Sequence, residues 1–205
     1  MITKKNLHLI IPAAGKSERF GENKLLYKYN GGQNFLDKIN QAYCEIGFIC
    51  NRILVTGFEK YRKDLENWAA ENKFITVNNF LFEKGMFSSI KTGLKYTEKD
   101  ADGFIIHPAD CPFVNQAILK KLFNEFCGLS EDKSIIIPTF NRRRGHPPFF
   151  RMEHREKILS EEDHFILREY YNQNNNVITY SNFTDDKILI DIDTKKEFRY
   201  AFSNY

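Results

Sequence analysis

Apolar positions along the chain fall into two alternating rhythms. Leu7 to Pro12 is a short unbroken apolar run closed by Gly15, the pattern of a strand covered on both faces, as in a parallel sheet. A polar loop follows to about Lys24. Asn34 then precedes Phe35, Leu36, Ile39, Ala42, Tyr43 and Ile46 at helical spacing, with Gly47 as a stop, which predicts a capped amphipathic helix. Arg52 to Thr56 reads as a second strand, and Tyr61, Leu65, Trp68 and Ala69 as the apolar stripe of the next helix. Phe74 to Val77, Gly103 to His107 and Ser134 to Pro138 continue as strands, with helices near Phe87 to Tyr96 and Gln116 to Phe126 between them. Such alternation predicts an α/β fold, an open, mostly parallel Rossmann-like sheet with helices on both faces and ligands at the carboxyl ends of the strands.

From Gly145 the pattern loosens. Helical stretches are expected around His154 to Leu159 and Glu162 to Tyr171, and short strands at Val177 to Tyr180 and Ile188 to Ile190. Gln173 to Asn176 is polar and reads as structureless, yet is too short for an interdomain linker. With 205 residues and 42% apolar content, one domain over residues 1–205 is the expectation.

Charge narrows the choice of partner. Thirty basic and 27 acidic side chains leave a net +3, far from the concentrated basic surface that nucleic acid demands, and the aromatics fall at core spacings instead of lining a basic stripe. A small anionic ligand suits this balance better. Cys44, Cys50, Cys111 and Cys127 show neither Cys-x-x-Cys pairing nor zinc spacing with the histidines, and read as reduced thiols in the core or lining a site. The lysines of Met1 to Asn6 precede an apolar run too short for a signal peptide or membrane span, so a cytoplasmic protein is expected.

Candidate chemistry begins where the first strand ends. Pro12-Ala13-Ala14-Gly15-Lys16-Ser17-Glu18-Arg19-Phe20-Gly21-Glu22-Asn23-Lys24 offers small residues whose backbone N–H groups could wrap a polyphosphate, with Arg19 and Lys24 for charge. It is not a P-loop, because Ile10 stands where the first glycine belongs, and not a dinucleotide fingerprint, because only Gly15 and Gly21 are present. An ordinary solvated loop is the competing reading.

The loop resembles that of the molybdenum cofactor cytidylyltransferases and guanylyltransferases, the MobA-like NTP transferases, whose first strand runs into Leu-Ala-Ala-Gly-x-Ser-x-Arg-x-Gly-x-x-Lys. Ala13, Ala14, Gly15, Ser17, Arg19, Gly21 and Lys24 match, and Pro12 replaces an aliphatic residue. The resemblance implies that this loop holds a triphosphate. Gly85 to Leu94 is similar to a segment that opens a helix beside the nucleotide, with Ser88 and Ser89 as nucleotide contacts or, alternatively, helix caps. Pro108-Ala109-Asp110-Cys111-Pro112 resembles the family's Gly-Asp-x-Pro, implying Asp110 as a Mg²⁺ ligand; capping of the next helix falls more naturally to Asn115. His107 reads as a packed strand-end residue.

Arg144-Gly145-His146-Pro147 is similar to the segment bordering the acceptor in the cofactor transferases, and Arg142 and Arg143 beside it form a basic cluster or a merely solvated loop. Asp191-Ile192-Asp193-Thr194 resembles the family's Asp-Ile-Asp-Thr. Asp193 is there a second metal ligand or a helix cap, and Asp191 a supporting ligand. The matches run from residue 7 to 194 in family order. They imply a Mg²⁺-dependent enzyme in which Lys24, Arg19 and Asp110 serve catalysis and a nucleoside monophosphate passes to a phosphorylated small molecule, molybdopterin, for delivery to a molybdoenzyme or its chaperone. CTP is the expected donor, because the methyl of Ala14 stands where the guanylyltransferases carry glycine and would crowd a purine, a discrimination of ~1–3 kcal/mol. The alternatives are a cytidylyl- or uridylyltransferase acting on a sugar, polyol or methylerythritol phosphate, and a noncatalytic nucleotide-binding module.

Overall fold

The computed structural model describes residues 6–28, 32–44 and 46–204. The lysine-bearing lead-in Met1–Lys5, and Glu45 near the end of the first expected helix, lie outside the described residues. The chain runs β1 (Leu7–Pro12), α1 (Phe35–Cys44), β2 (Ile49–Thr56), α2 (Glu59–Glu71), β3 (Ile75–Asn78), α3 (Met86–Leu94), β4 (Gly103–Ile106), α4 (Gln116–Cys127) and β5 (Ile135–Phe140). It continues through β6 (Arg143–Arg144), β7 (Phe149–Arg151), α5 (His154–Ser160), α6 (Leu167–Gln173), β8 (Ile178–Asn182) and α7 (Lys195–Asn204). The strands form one eight-stranded sheet in the order β3-β2-β1-β4-β7-β5-β6, with β8 alongside β5.

Pairing is parallel for β1 with β2 and β4, for β2 with β3 and for β5 with β8. The sheet is thus the expected open, mostly parallel one. Its exceptions are β6, antiparallel to β5, and β7, antiparallel to both β4 and β5, strands too short to show in the hydrophobic pattern. Two successive reversals leave β5 parallel to β4, so β1, β4, β5 and β8 all end at the same edge.

Helices cover both faces because strand residues alternate sides. Leu7, Leu9 and Ile11 of β1 pack with Phe35, Ile39, Leu65, Leu122 and Phe198 of α1, α2, α4 and α7. Ile10 packs on the other face with Phe87, Ile90, Ile158 and Tyr170 of α3, α5 and α6. Every residue of β1 is consequently buried. Asn34 caps α1 reciprocally, accepting from the Asp37 N–H at 2.8 Å while Asp37 accepts from the Asn34 N–H at 3.2 Å.

Three local expectations are corrected. Ile188 to Ile190 is not a strand: Asp186–Leu189 is a 3-10 turn opened by Asp185, whose carboxylate accepts from the Lys187 N–H at 2.9 Å. The helix expected from Glu162 begins only at Leu167, because Lys84 and Lys91 each hold Asp163 at 3.0 Å and Phe165 packs on Phe87, fixing an irregular turn. Gln173 to Asn176 is not structureless; Gln173 closes α6 and Asn175–Val177 is a 3-10 turn. Of the thiols expected in the core or lining a site, Cys111 is buried and Cys127 partly so, whereas Cys44 and Cys50 are exposed; none of the four cysteines is in a disulfide.

Candidate active site

An open cleft of about 540 Å³ sits at the carboxyl ends of β1 and β4, lined among others by Pro12, Ala13, Gly15, Lys16, Ser17, Arg19, Lys24, Ala109, Asp110 and Asp193. Three segments distant in sequence meet there. The first is the loop after β1. It leaves the sheet under control of two backbone bonds, from the Ala13 N–H to the Val55 carbonyl (2.8 Å) and from the Phe58 N–H to the Ala14 carbonyl (3.2 Å). It then turns at Ser17 and Gly21, both at positive φ. Phe20 pins the turn to the core, edge-on to Tyr27 at 5.2 Å and to Phe198 at 5.9 Å.

The second segment follows β4. His107 is fully buried, and its Nε2 donates to the Cys111 carbonyl at 2.9 Å. The third is Asp191-Ile192-Asp193, tied to the second by a bond from the Ile192 N–H to the Asp110 carbonyl at 3.1 Å. Here a sequence ambiguity is resolved. Thr194 caps α7, its hydroxyl accepting from the Glu197 N–H at 3.2 Å while Glu197 accepts from the Asp193 and Thr194 N–H groups, both at 2.9 Å. Glu197 thereby stabilises the turn, and the Asp193 carboxylate is left to face the cleft.

Lys24 gathers the three segments. Its ammonium donates to Asp110 Oδ2 at 3.2 Å, to the Ile192 carbonyl at 2.8 Å and to Asp193 Oδ1 at 2.9 Å. Arg19 reaches the other oxygen of Asp193 at 2.6 Å. A lysine with only 11% of its side chain exposed requires such partners to stay charged. Burial disfavours its ammonium, but the charges and hydrogen bonds of Asp110 and Asp193 outweigh that and raise the Lys24 pKa. For Asp193 burial pushes the carboxyl up, and the Lys24 and Arg19 contacts prevail to hold it below the ordinary range. Two cations and two carboxylates form a charge-balanced node at the mouth of a glycine loop.

Sequence reading had not picked out the far wall, Phe82 and Glu83. They belong to a 3-10 turn, Phe82–Lys84, and Glu83 bridges the cleft to Lys16 at 2.7 Å. Their only signal was a charge opposite to that of Lys16. Phe82 also explains where Ala14 points. A Cβ on Gly57 would meet the Ala14 methyl at 2.6 Å and Phe82 Cβ at 2.8 Å, so that methyl packs against Gly57 and is not among the cleft-lining groups. The steric argument against a purine loses its basis.

Other predicted residues gather elsewhere. Ser88 and Ser89 are buried; the Ser88 hydroxyl donates to the Gly85 carbonyl at 2.8 Å and both hydroxyls accept from the Asn79 amide, at 2.8 and 3.0 Å. Gly85 is the N-cap residue of α3; the serines lock the preceding turn. Gly145 and His146 are held by backbone, the Gly145 N–H on the Pro138 carbonyl and the His146 N–H on the Ile188 carbonyl, both at 2.8 Å. Pro147 follows a cis bond, and His146 Nδ1 is buried with no partner among the described residues. Burial lowers the His146 pKa against the opposing charges of Asp110 and Asp191; Asp191, unlike Asp193, is not among the cleft-lining residues. Arg144 turns away, donating to Asn172 at 3.2 Å and to the Tyr180 hydroxyl at 2.9 Å, with its guanidinium over the Tyr171 ring.

A family model described as the MobA-like NTP transferase domain matches residues 9–177. The chain belongs to that family. Among the curated relatives, a probable molybdenum cofactor guanylyltransferase of Methanocaldococcus jannaschii is 26% identical over 172 residues, 78% of this chain and 80% of that one. A 2-C-methyl-D-erythritol 4-phosphate cytidylyltransferase of Dictyoglomus thermophilum is 32% identical over 121 residues, 58% of this chain and 50% of that protein. Among solved structures, a manganese complex of Rv0371c from Mycobacterium tuberculosis H37Rv superposes with a TM-score of 0.73 at 17% identity, covering 98% of this chain and 100% of that one. Among the described residues no helix is long and apolar enough to cross a membrane.

Proposed function

We propose that this protein transfers a nucleoside monophosphate from an NTP to a phosphorylated small molecule, molybdopterin in the preferred reading, with release of pyrophosphate. The observation that carries the reading is the Lys24 ammonium, held between Asp110 and Asp193 at the end of the glycine loop. A binding module would need the loop but not two carboxylates and a buried lysine focused on one point.

The site fits a hard divalent cation. Asp110 Oδ2 and Asp193 Oδ1 both lie within 3.2 Å of one Lys24 nitrogen, and Mg²⁺ favours one or two carboxylates completed by phosphate oxygens and water. Among the described residues no group of three or more His, Cys, Asp or Glu forms a closed metal cage, consistent with an ion that arrives with its nucleotide. Bound there, Mg²⁺ would supply positive charge to the α-phosphate and the departing pyrophosphate. Lys24 and Arg19 would add theirs, and the backbone N–H groups of Gly15, Lys16 and Ser17, which line the cleft, would hold the triphosphate in line. An oxygen of the acceptor phosphate forms a bond to the α-phosphorus while the bond from that phosphorus to the β-bridging oxygen breaks. A phosphate nucleophile is already ionised near neutral pH, so the site needs no dedicated base.

Similarity to a relative named for molybdenum cofactor guanylyl transfer, together with Gly145-His146-Pro147, favours molybdopterin as the acceptor. The methylerythritol phosphate reading draws on a relative matched over half its length. With the Ala14 methyl packed on Gly57, nothing in the loop separates CTP from GTP, and the reading is drawn at the level of an NTP. The test is pyrophosphate release with Mg²⁺, each of the four NTPs and either molybdopterin or a panel of sugar and polyol phosphates. Release with molybdopterin supports the reading, release with a sugar or polyol phosphate alone moves the enzyme to the other branch, and silence throughout with retained NTP binding contradicts transfer.

A further inference from the structure

Asp110 stands on a loop, and a loop fixes a carboxylate only as well as its own backbone is tethered. One tether runs through side chains that face no cleft. The Cys111 carbonyl accepts from His107 Nε2 at 2.9 Å. A carbonyl cannot donate, so Nε2 carries the proton, and Nδ1 of the neutral ring is left as an acceptor. The Tyr43 hydroxyl, 3.0 Å away, donates to it. Tyr43 and His107 are both at 0% exposure and Cys111 at 1%, which removes water as a substitute partner. Burial pushes the His107 pKa down to about 4, keeping the ring neutral.

We propose that Tyr43 and His107 are positioning residues: a buried relay from α1 that anchors the imidazole at Nδ1 and, through its bond to the Cys111 carbonyl, sets the direction in which Asp110 presents its carboxylate. The inference rests on the nucleotidyl-transfer reading and extends it to residues outside the cleft. Neither touches the reacting atoms. Partners that orient a metal-binding group from behind typically change metal affinity or activity by ~10–100-fold when removed.

The experiment uses the full chain and the variants His107→Leu, His107→Gln and Tyr43→Phe, with ¹⁵N NMR of the imidazole, Mn²⁺ affinity in the presence of an NTP, turnover and thermal melting. The wild type should show a single Nε2-protonated tautomer with a hydrogen-bonded Nδ1, and Tyr43→Phe should keep that tautomer, which the Cys111 carbonyl dictates, while its Nδ1 resonance moves downfield as the hydrogen bond is lost. His107→Leu should lose ~10–100-fold in Mn²⁺ affinity with metal-free NTP binding unchanged, and His107→Gln, whose amide can donate to the same carbonyl, should recover most of that loss. A folded His107→Leu that binds Mn²⁺ as the wild type does, or a His107→Gln as impaired as His107→Leu, overturns the inference alone. If His107→Leu does not fold, the nearly isosteric Tyr43→Phe decides, and an unchanged Nδ1 resonance with unchanged Mn²⁺ affinity overturns it. Failure of the wild type itself to bind Mn²⁺ with any NTP overturns the parent reading and this inference with it.

Discussion

The two sides of the carboxyl edge are built on different principles. On the nucleotide side, Lys24, Asp110 and Asp193 come from three distant segments and meet through charged side chains at 2.9 and 3.2 Å. On the acceptor side, Gly145 and His146 are placed by backbone hydrogen bonds to Pro138 and Ile188, and the nearby charge of Arg144 is spent on Tyr180 and Asn172. One region concentrates charge on a partly open point, where loss of a group harms chemistry more than folding. The other is a packing problem, where loss of fit harms folding first and the acceptor second.

Substitutions on the two sides should separate accordingly. The largest effect belongs to Asp110→Asn and Lys24→Met, each expected to lower turnover by roughly 10²–10³ while circular dichroism still reports the native fold; comparable turnover in either variant would break the contrast. Gly145→Ala comes next. Its new Cβ would lie 2.5 Å from the Ile188 carbonyl oxygen, so backbone must shift, at a cost of ~1–3 kcal/mol in denaturant unfolding. The KM for acceptor should rise more than that for NTP.

Ser88→Ala should cost ~1 kcal/mol through its bonds to the Gly85 carbonyl and the Asn79 amide, with turnover unchanged. Reduced turnover at unchanged stability would return Ser88 to the nucleotide. The smallest effect is a pH dependence. Asp193 has a depressed pKa in the folded state, so its stabilisation is full above the unfolded value, about 3.9, and fades as pH falls through the folded one. Lys24 has a raised pKa, so its contribution holds below about 10.4 and fades as pH rises through the folded value. The melting difference between wild type and Asp193→Asn should therefore be a plateau across neutral pH, declining only at the acid and alkaline ends.

How much was legible in the sequence follows the same division. β1, its loop and the Asp110 turn lie where strand and helix alternate regularly, and short-range patterns described them well. The Thr194-x-x-Glu197 box was equally local, yet Asp193 looked like a competing cap until the Glu197 contacts assigned that task to Thr194. Ile188 to Ile190 misled because its burial serves the Gly145–His146 backbone instead of a ladder, a long-range reason that periodicity cannot carry. β7, three residues long behind Pro147 and Pro148, gave no period to detect. Ser88 and Ser89 had the composition of a ligand contact, but Asn79, a turn away, took their hydroxyls.

The central claim is that Lys24, Asp110 and Asp193 receive the triphosphate and its metal at one point. Anomalous scattering from Mn²⁺ in crystals grown with a non-hydrolysable NTP analogue tests it most directly. The account predicts a peak within bonding distance of the Asp110 and Asp193 carboxylates, phosphates along Gly15, Lys16 and Ser17, and Lys24 on a phosphate oxygen. A nucleotide bound outside this cleft, or a metal held by neither aspartate, would contradict it.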